Sequence, residues 1–476
     1  MRLAVLAAIA LLLVQGVLIG HVELSYDEAY YALWARWPQL GYLDHPPLVA
    51  WTIYASTALF GASEFGVRAL FWLEGAAIVA MVAWIAWRLF DERTAAMAAL
   101  LWVATPLVAA APLATPDTPL VLFWTLGLVG LVEAFRGRQA AWGLVGAAAG
   151  AAALAKMTAG FLALGIGLSV AVIPSLRRQA LGPWPWIAAA LALAVASPFL
   201  IWNAEHGFAT FFKQGARITP SAFAPRYLLE FCASQIALFN PLTAALALGP
   251  CASRAFWWAG RPRSQAGGST DEPTRLLLAT IAPALGYFLL HALHDRVQAN
   301  WPAPLFPALI VLAARAIVQA PLRKMAYAAV ALGVAVTGAA YLHLATAWPA
   351  FGPFGPSDPF ARIGGWRELS ARVLSVAREQ GAGYVLAHGY AATSLLTFYG
   401  PPTPEVVEAE EPERWTFRPP VATDGVGLAF GPAAFEEELA RRYAHVEAIE
   451  TLRRRVGDVE LESYTLFRVE ARRSPP

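Results

Sequence analysis

Apolar residues run along this chain in eleven blocks of about 17 to 25 positions, long enough to be read as membrane-spanning helices. The blocks fall at 3–20, 67–89, 95–111, 117–135, 141–156, 159–175, 184–202, 227–250, 275–293, 301–319 and 325–346. Between the first two lies a polar and aromatic segment, 21–66, whose pattern predicts amphipathic helices on the outer membrane face. From about residue 350 the pattern changes. The stretches 365–380 and 435–443 have helical periodicity, 384–387 and 426–430 read as buried strands, and 461–469 alternates as a strand. The predicted fold class is therefore mainly α: a polytopic membrane domain at 1–346 followed by a small α/β domain at 350–476.

Composition sharpens this picture. Of 476 residues, 58% are hydrophobic and only 14% charged, outside the range of soluble domains. Beyond residue 350 lie 14 of the 35 Lys and Arg and 18 of the 33 Asp and Glu, which marks the tail as water-exposed. In the turns before it, 14 basic residues fall on one side and 7 on the other, and the richer side is the cytoplasmic one. The N-terminus is then inside, while the 21–66 loop, the 111–116 turn, the 203–226 loop, the 294–300 turn and the tail face out. The segment 251–274, with Arg261-Pro262-Arg263 and Gly267-Gly268-Ser269, reads as a cytoplasmic linker. No small-x-small cleavage pattern precedes His21, so the first block reads as an uncleaved helix. A net charge of +2 with no basic stripe excludes a nucleic-acid partner. Cys232 and Cys251 lie in what reads as one transmembrane helix, roughly 28 Å apart at about 1.5 Å per residue, and so cannot pair. Both are expected to be inert, buried thiols.

The chemically interesting side chains crowd the outward ends of the blocks. Ser25-Tyr26-Asp27-Glu28-Ala29-Tyr30-Tyr31 starts as the first block ends, and Gly41-Tyr42-Leu43-Asp44-His45-Pro46-Pro47 follows it. Ionisable groups at a membrane boundary are costly to desolvate unless they bind something. Ser25 and Glu28 fit a capping box, which gives Glu28 a structural use. Asp27 is not needed for that box, and at helical spacing it shares a face with Tyr30, Tyr31, Trp34 and Trp37, a surface suited to a sugar. The plainer alternative is charge–dipole placement at a helix N-terminus, which would also keep Asp27 ionised.

Asp44-His45-Pro46-Pro47 turns the chain by proline restriction, yet a turn requires neither the imidazole nor its acidic neighbour. Proton transfer, phosphate contact and metal binding are all open to that pair. Asp117, after Thr115-Pro116, is either an N-cap or a second carboxylate on the same face. His291, His294 and Asp295 have a spacing that could bind zinc. Arg296 beside them suits either a snorkelling side chain or a two-pronged grip on a lipid phosphate. Gly165-Ile166-Gly167 lacks a preceding strand, and the sequence holds no P-loop, serine elbow or paired CxxC, so ATP chemistry is not indicated.

In this order between hydrophobic blocks, Asp27-Glu28, the 41–48 segment, the 64–68 segment, Thr115-Pro116-Asp117 and Asn300-Trp301-Pro302-Ala303-Pro304 resemble the polyprenyl-phosphate-dependent glycosyltransferases of the GT-C class. That group holds the bacterial aminoarabinose transferase of lipid A and the protein O-mannosyltransferases. The resemblance covers roughly 1–346. It implies Asp27 and Asp117 as catalytic residues, and Glu28, Tyr30, Tyr31, Asp44, His45, Arg296, Asn300 and Trp301 as substrate contacts. It further implies a polyprenyl-phosphate sugar donor, a lipid or glycan acceptor, a monomer, and an inner-membrane location with the active site and tail in the periplasm. No cofactor is implied, and a divalent metal is kept as an alternative. Tyr30 stands where aminoarabinose transferases have arginine and His45 where they have lysine, so that enzyme's sugar and acceptor do not carry over.

The implied reaction is a single displacement at the anomeric carbon with inversion. Asp27 takes the acceptor hydroxyl's proton, Arg296, with His45 as a further candidate, neutralises the departing phosphate, and Asp117 orients the acceptor or serves as a second acid. With a phosphate as acceptor no base is needed, and Asp27 only positions substrate. The reading from another class is a secondary transporter or a flippase of a lipid-linked solute. Transporters keep ionisable sites near the bilayer midplane and often show paired repeats. Here Glu74 is the main charge at mid-depth, and no repeat is apparent.

Overall fold

The computed structural model describes residues 2–109, 112–216, 222–247, 272–319, 323–346 and 363–472. Cys251, most of the 251–274 linker and the expected boundary between 346 and 350 lie outside them. The chain divides into two compact units. The first comprises Met1–Gly16, Leu40–Val49 and Leu70–Ala339; the second comprises Val17–Gln39, Ala50–Ala69 and Ala340–Pro476. The second unit is thus more than the tail, because it includes much of the segment 21–66.

Among the described residues, the hydrophobic blocks become helices. Helices Glu64–Leu89, Asp117–Phe135, Trp184–Glu205, Glu272–His291 and Lys324–His343 are long and apolar enough to cross a membrane. Shorter apolar helices accompany them at Ile9–Leu18, Leu48–Phe60, Ala141–Ala155, Met157–Val172 and Ala303–Gln319. Leu48–Phe60 falls in what the sequence presented as a polar loop, and it is apolar along its length.

Two blocks read as single helices are broken. The block 95–111 divides into Glu92–Val103 and Pro106–Ala109, because Pro106 has no N–H to continue the ladder. The block 227–250 stops at Phe239, where Asn240 takes φ +74° ahead of Pro241. The Asn240 side chain holds the break, donating to the Ala329 carbonyl at 2.7 Å and accepting from the Leu242 N–H at 3.1 Å. Cys232 on that first piece is exposed, which corrects its expected burial.

Small residues set one close helix contact. A Cβ added at Gly146 would lie 2.3 Å from the Ala188 carbonyl oxygen, and one at Gly150 would lie 2.6 Å from that of Ala192. The four-residue spacing puts both glycines on one face of Ala141–Ala155, where the backbone of Trp184–Glu205 approaches. The helix Asp117–Phe135 carries different charges at its two ends. Near its C-terminus, Glu133 pairs with Arg88 at 2.6 Å and Arg138 at 2.9 Å, residues from the Arg-rich turns. At its N-terminus stands Asp117, about 24 Å from Glu133 at about 1.5 Å per residue.

The second unit contains a five-stranded sheet in the order β2-β1-β3-β5-β4, where β1 is Tyr384–Ala387, β2 Glu405–Glu408, β3 Gly427–Gly431, β4 Tyr443–Val456 and β5 Val459–Arg472. β1 pairs parallel with β2 and β3, and β5 pairs antiparallel with β3 and β4. Helices Trp366–Glu379 and Phe435–Arg442 fall where periodicity put them. Tyr384, Ala429, Phe435, Leu439, Phe467 and Val469 form the core. The sequence reading did not mark β2, β4 or the helix Tyr390–Tyr399. β4 escaped because it lies at the edge of the described sheet, with seven of its fourteen residues exposed and five of the fourteen charged, so it lacks a strand's apolar alternation.

Candidate functional site

The first candidate lies in the second unit, on helix Tyr26–Arg36. Its capping box forms as the sequence predicts: the Glu28 N–H donates to Ser25 Oγ at 3.3 Å, and the Ser25 N–H donates to Glu28 Oε2 at 2.9 Å. Glu28 has a second duty. Arg68 donates to it from Nε at 2.6 Å and from Nη2 at 2.7 Å, and both side chains are almost fully buried. The same guanidinium also donates to the carbonyls of Ile19, Val22 and Glu23 at 2.6 to 2.9 Å. This bidentate pair stitches the strand of chain before the helix to the start of Glu64–Leu89. Glu28, expected as a substrate contact, is therefore a buried structural anion.

Tyr30 and Tyr31 are likewise drawn into packing. The Tyr30 hydroxyl donates to the Arg414 carbonyl at 3.1 Å, and its ring lies 4.9 Å from Trp34, 5.5 Å from Trp415 and 5.6 Å from Tyr390. Tyr31 sits against Tyr30 and Trp34 and is also buried. The expected sugar platform is thus largely a core between the helix and 390–417.

Asp27, one turn away, is different. It is half-buried, and Tyr390 donates its hydroxyl to Asp27 Oδ1 at 3.3 Å. Tyr390 opens the helix Tyr390–Tyr399 directly after β1 and the positive-φ Gly389. Its ring meets Tyr26 edge-on at 5.6 Å, and the Arg414 guanidinium lies over it at 4.5 Å. Burial first, then the Asp27 charge, push the Tyr390 phenol far above its ordinary range, so it remains a donor.

Further contacts bind this corner. The Glu23 carboxylate accepts from the Trp366 N–H at 2.8 Å and so caps a helix whose own N-cap, Gly365, has no side chain. Arg367 pairs with Glu64 and lies 4.7 Å over the Tyr399 ring, while Tyr399 Oη accepts from the Leu24 N–H at 2.7 Å.

The first unit holds a second polar cluster. Asp117 accepts from Lys156 Nζ at 2.7 Å through Oδ1 and from Asn300 Nδ2 at 2.7 Å through Oδ2. Lys156 ends helix Ala141–Ala155 in extended conformation and is 9% exposed, a cation held where desolvation makes charge matter. The sequence reading counted it only as an outward charge. Its signal was a lone lysine ending an otherwise uncharged block.

Asp44 is nearly buried and pairs with Lys213 at 3.3 Å, while its carbonyl accepts from Gln214 at 2.6 Å. The turn is tight enough that a Cβ at Gly41 would lie 2.7 Å from the Trp202 ring. His45 is half-buried, and its carbonyl accepts from the Tyr42 N–H at 3.2 Å.

Arg296, expected at a lipid phosphate, is exposed and makes a two-pronged pair with Glu230 at 2.7 and 3.1 Å. Trp301 is half-buried, 6.1 Å from His291. The zinc-like set at 291–295 is used for packing: His291 stacks on Tyr287 at 5.6 Å, and His294 meets Phe223 edge-on at 6.0 Å. Among the described residues, His388, Glu410 and Glu438 bring donor atoms within 4.8 Å of one another, with Glu438 also paired to Arg442 at 2.5 Å.

Comparisons with known proteins bear on these arrangements. Residues 44–202 match the family model of dolichyl-phosphate-mannose-protein mannosyltransferases. The lipid A galacturonosyltransferase RgtD of Rhizobium johnstonii is 27% identical over 302 residues, which span 60% of this chain and 59% of that protein. Crystal structures of ArnT from Cupriavidus metallidurans superpose over 97% of both chains at 16% identity, with TM-scores of 0.67 for the apo state and 0.66 for the form bound to undecaprenyl phosphate. The sequence matches and the fold match point the same way: the chain is similar in sequence to membrane glycosyltransferases and has the fold of ArnT.

Proposed function

We propose that this protein transfers a sugar from a polyprenyl-phosphate carrier to an envelope acceptor at the outer face of a bacterial inner membrane. The observation that carries the reading is the division of labour between adjacent carboxylates. Glu28 is wholly committed to Arg68 and the capping box, whereas Asp27 is half-exposed at the first helical turn with a neutral phenol on one oxygen. In the proposed step the acceptor hydroxyl oxygen bonds to the anomeric carbon as the bond from that carbon to the carrier phosphate breaks. The bonding pair leaves with the phosphate, the configuration inverts, and the hydroxyl proton passes to Asp27.

Within the first unit, the cation suited to a phosphate is Lys156, nearly buried against Asp117, rather than Arg296, which is paired at the surface with Glu230. Asp117 and Asn300 then position that lysine, with Asp44, His45 and Trp301 as further contacts. The carrier class is supported by the undecaprenyl phosphate bound to ArnT, and a uronic-acid sugar with a lipid A acceptor by the RgtD relative.

Eleven spans with the basic turns inside are part of the proposal. A cysteine replacing exposed Asp424, in a chain lacking Cys232 and Cys251, reacts with a membrane-impermeant maleimide in intact spheroplasts. Reaction only after lysis overturns the orientation. The activity itself is tested by incubating purified protein with undecaprenyl-phosphate sugars and lipid A, with mass spectrometry of the products. A uronic-acid mass increment on lipid A supports the reading, and no transfer from any of a pentose, hexose or uronic-acid donor contradicts it.

A further inference from the structure

We infer that Tyr390 is a positioning residue for the Asp27 carboxylate, so that the C-terminal part of the chain completes the general base; this rests on Asp27 acting as that base. The contact joins residues 363 positions apart, at 3.3 Å from the phenol oxygen to Oδ1. A carboxylate at the first turn of a helix has free rotation about its own side chain unless something fixes it, and base catalysis depends on where its second oxygen points. Tyr390 supplies the fixing group on one oxygen.

Its own placement is over-determined. It is the first residue of its helix, set by the turn at Gly389, with Tyr26 edge-on at 5.6 Å, Tyr30 at 5.6 Å and the Arg414 guanidinium 4.5 Å above the ring. Arg414 is anchored in turn by Glu411 at 2.6 Å. The groups that meet the Tyr390 side chain include Asp27, Tyr26 and Tyr30 from the helix Tyr26–Arg36, and Arg414 from its own part of the chain.

The test is a cycle of Tyr390→Phe, Asp27→Asn and the double variant in the full-length protein, read as single-turnover sugar transfer with kcat and KM separated. Loss of a hydrogen bond to a charged group predicts that Tyr390→Phe lowers kcat by roughly 10- to 100-fold. KM should stay within about twofold, the signature of an interaction made mainly in the transition state. The double variant should be no slower than Asp27→Asn, because no base then remains to orient. Wild-type kcat for Tyr390→Phe beside an impaired Asp27→Asn overturns the positioning role and leaves the base intact. Wild-type turnover by Asp27→Asn overturns the base, and the positioning role with it. Equal losses from Tyr390→Phe in both backgrounds make its effect independent of Asp27 and also overturn the inference. Should Tyr390→Phe unfold, the same comparison is made between 4-aminophenylalanine and 4-methylphenylalanine at 390, which match in size and differ in the donor. Activity in the amino form alone supports the role, and equal activity in both overturns it.

Discussion

Asp27 and Glu28 are neighbours in the chain with opposite uses, and only the use of Glu28 was half-visible in the sequence. The Ser25-x-x-Glu28 spacing announces a capping box, but nothing local announces that Arg68, forty positions on, closes on the same carboxylate. A buried guanidinium that loses its anion costs more than the pair is worth, because the charge left behind is unsolvated. Glu28→Gln and Arg68→Met should therefore each lower stability by roughly 3 to 5 kcal/mol, read as a lower melting temperature in detergent, and the double variant should recover part of the loss. Equal stability of the single variants and the wild type would contradict this.

Glu408 offers a pH-dependent case in the water-exposed part of the chain. Burial, opposed by hydrogen bonds from Thr393 and from the N–H groups of Glu410 and Glu411, raises its carboxyl above the ordinary 4.5. The folded chain then keeps a proton that the unfolded chain has released, so stability falls as pH rises through that window and the cost persists above it. Glu408→Gln should raise the melting temperature at pH 8 relative to wild type, with the difference vanishing below about pH 4.5. A difference independent of pH would rule out this cause.

At the scale of elements, hydrophobic periodicity placed the helices well and their interruptions poorly. Pro106 and Pro241 were in plain view, yet the apolar runs around them outweighed the local backbone signal. The patterns of 365–380, 384–387 and 435–443 transferred almost unchanged, because the two helices each bury one apolar face and the strand is buried along its whole length. The contact made by Gly146 and Gly150 was lost in an alanine-rich run, since small residues are common in apolar helices and only the approaching backbone distinguishes those that matter. Gly150→Val should push Ala141–Ala155 away from Trp184–Glu205 and cost about 1–3 kcal/mol, whereas Gly143→Val, with nothing within 4 Å of its Cβ, should be near neutral. A thermal-shift comparison of the two checks this, and equal shifts would sink the close-packing argument.

For the molecule as a whole, the ordering of short motifs between hydrophobic blocks was legible and the partners of those motifs were not. Asp27 and Asp117 stand in the first turns of their helices, where the sequence pattern puts them, but Tyr390, Arg414 and Lys156 come from segments with no motif of their own. Arg296 shows the converse: a suggestive position in sequence that the fold uses for a surface pair. Charge at a membrane boundary says that a partner exists, and only the fold says which. The proposed reaction turns on Asp27 taking the acceptor's proton. The decisive quantity is the single-turnover rate of Asp27→Asn, shown by thermal shift to be folded, with a polyprenyl-phosphate sugar and its acceptor. A fall of about 10²- to 10⁴-fold is expected, and an unchanged rate would remove Asp27 from the proton transfer.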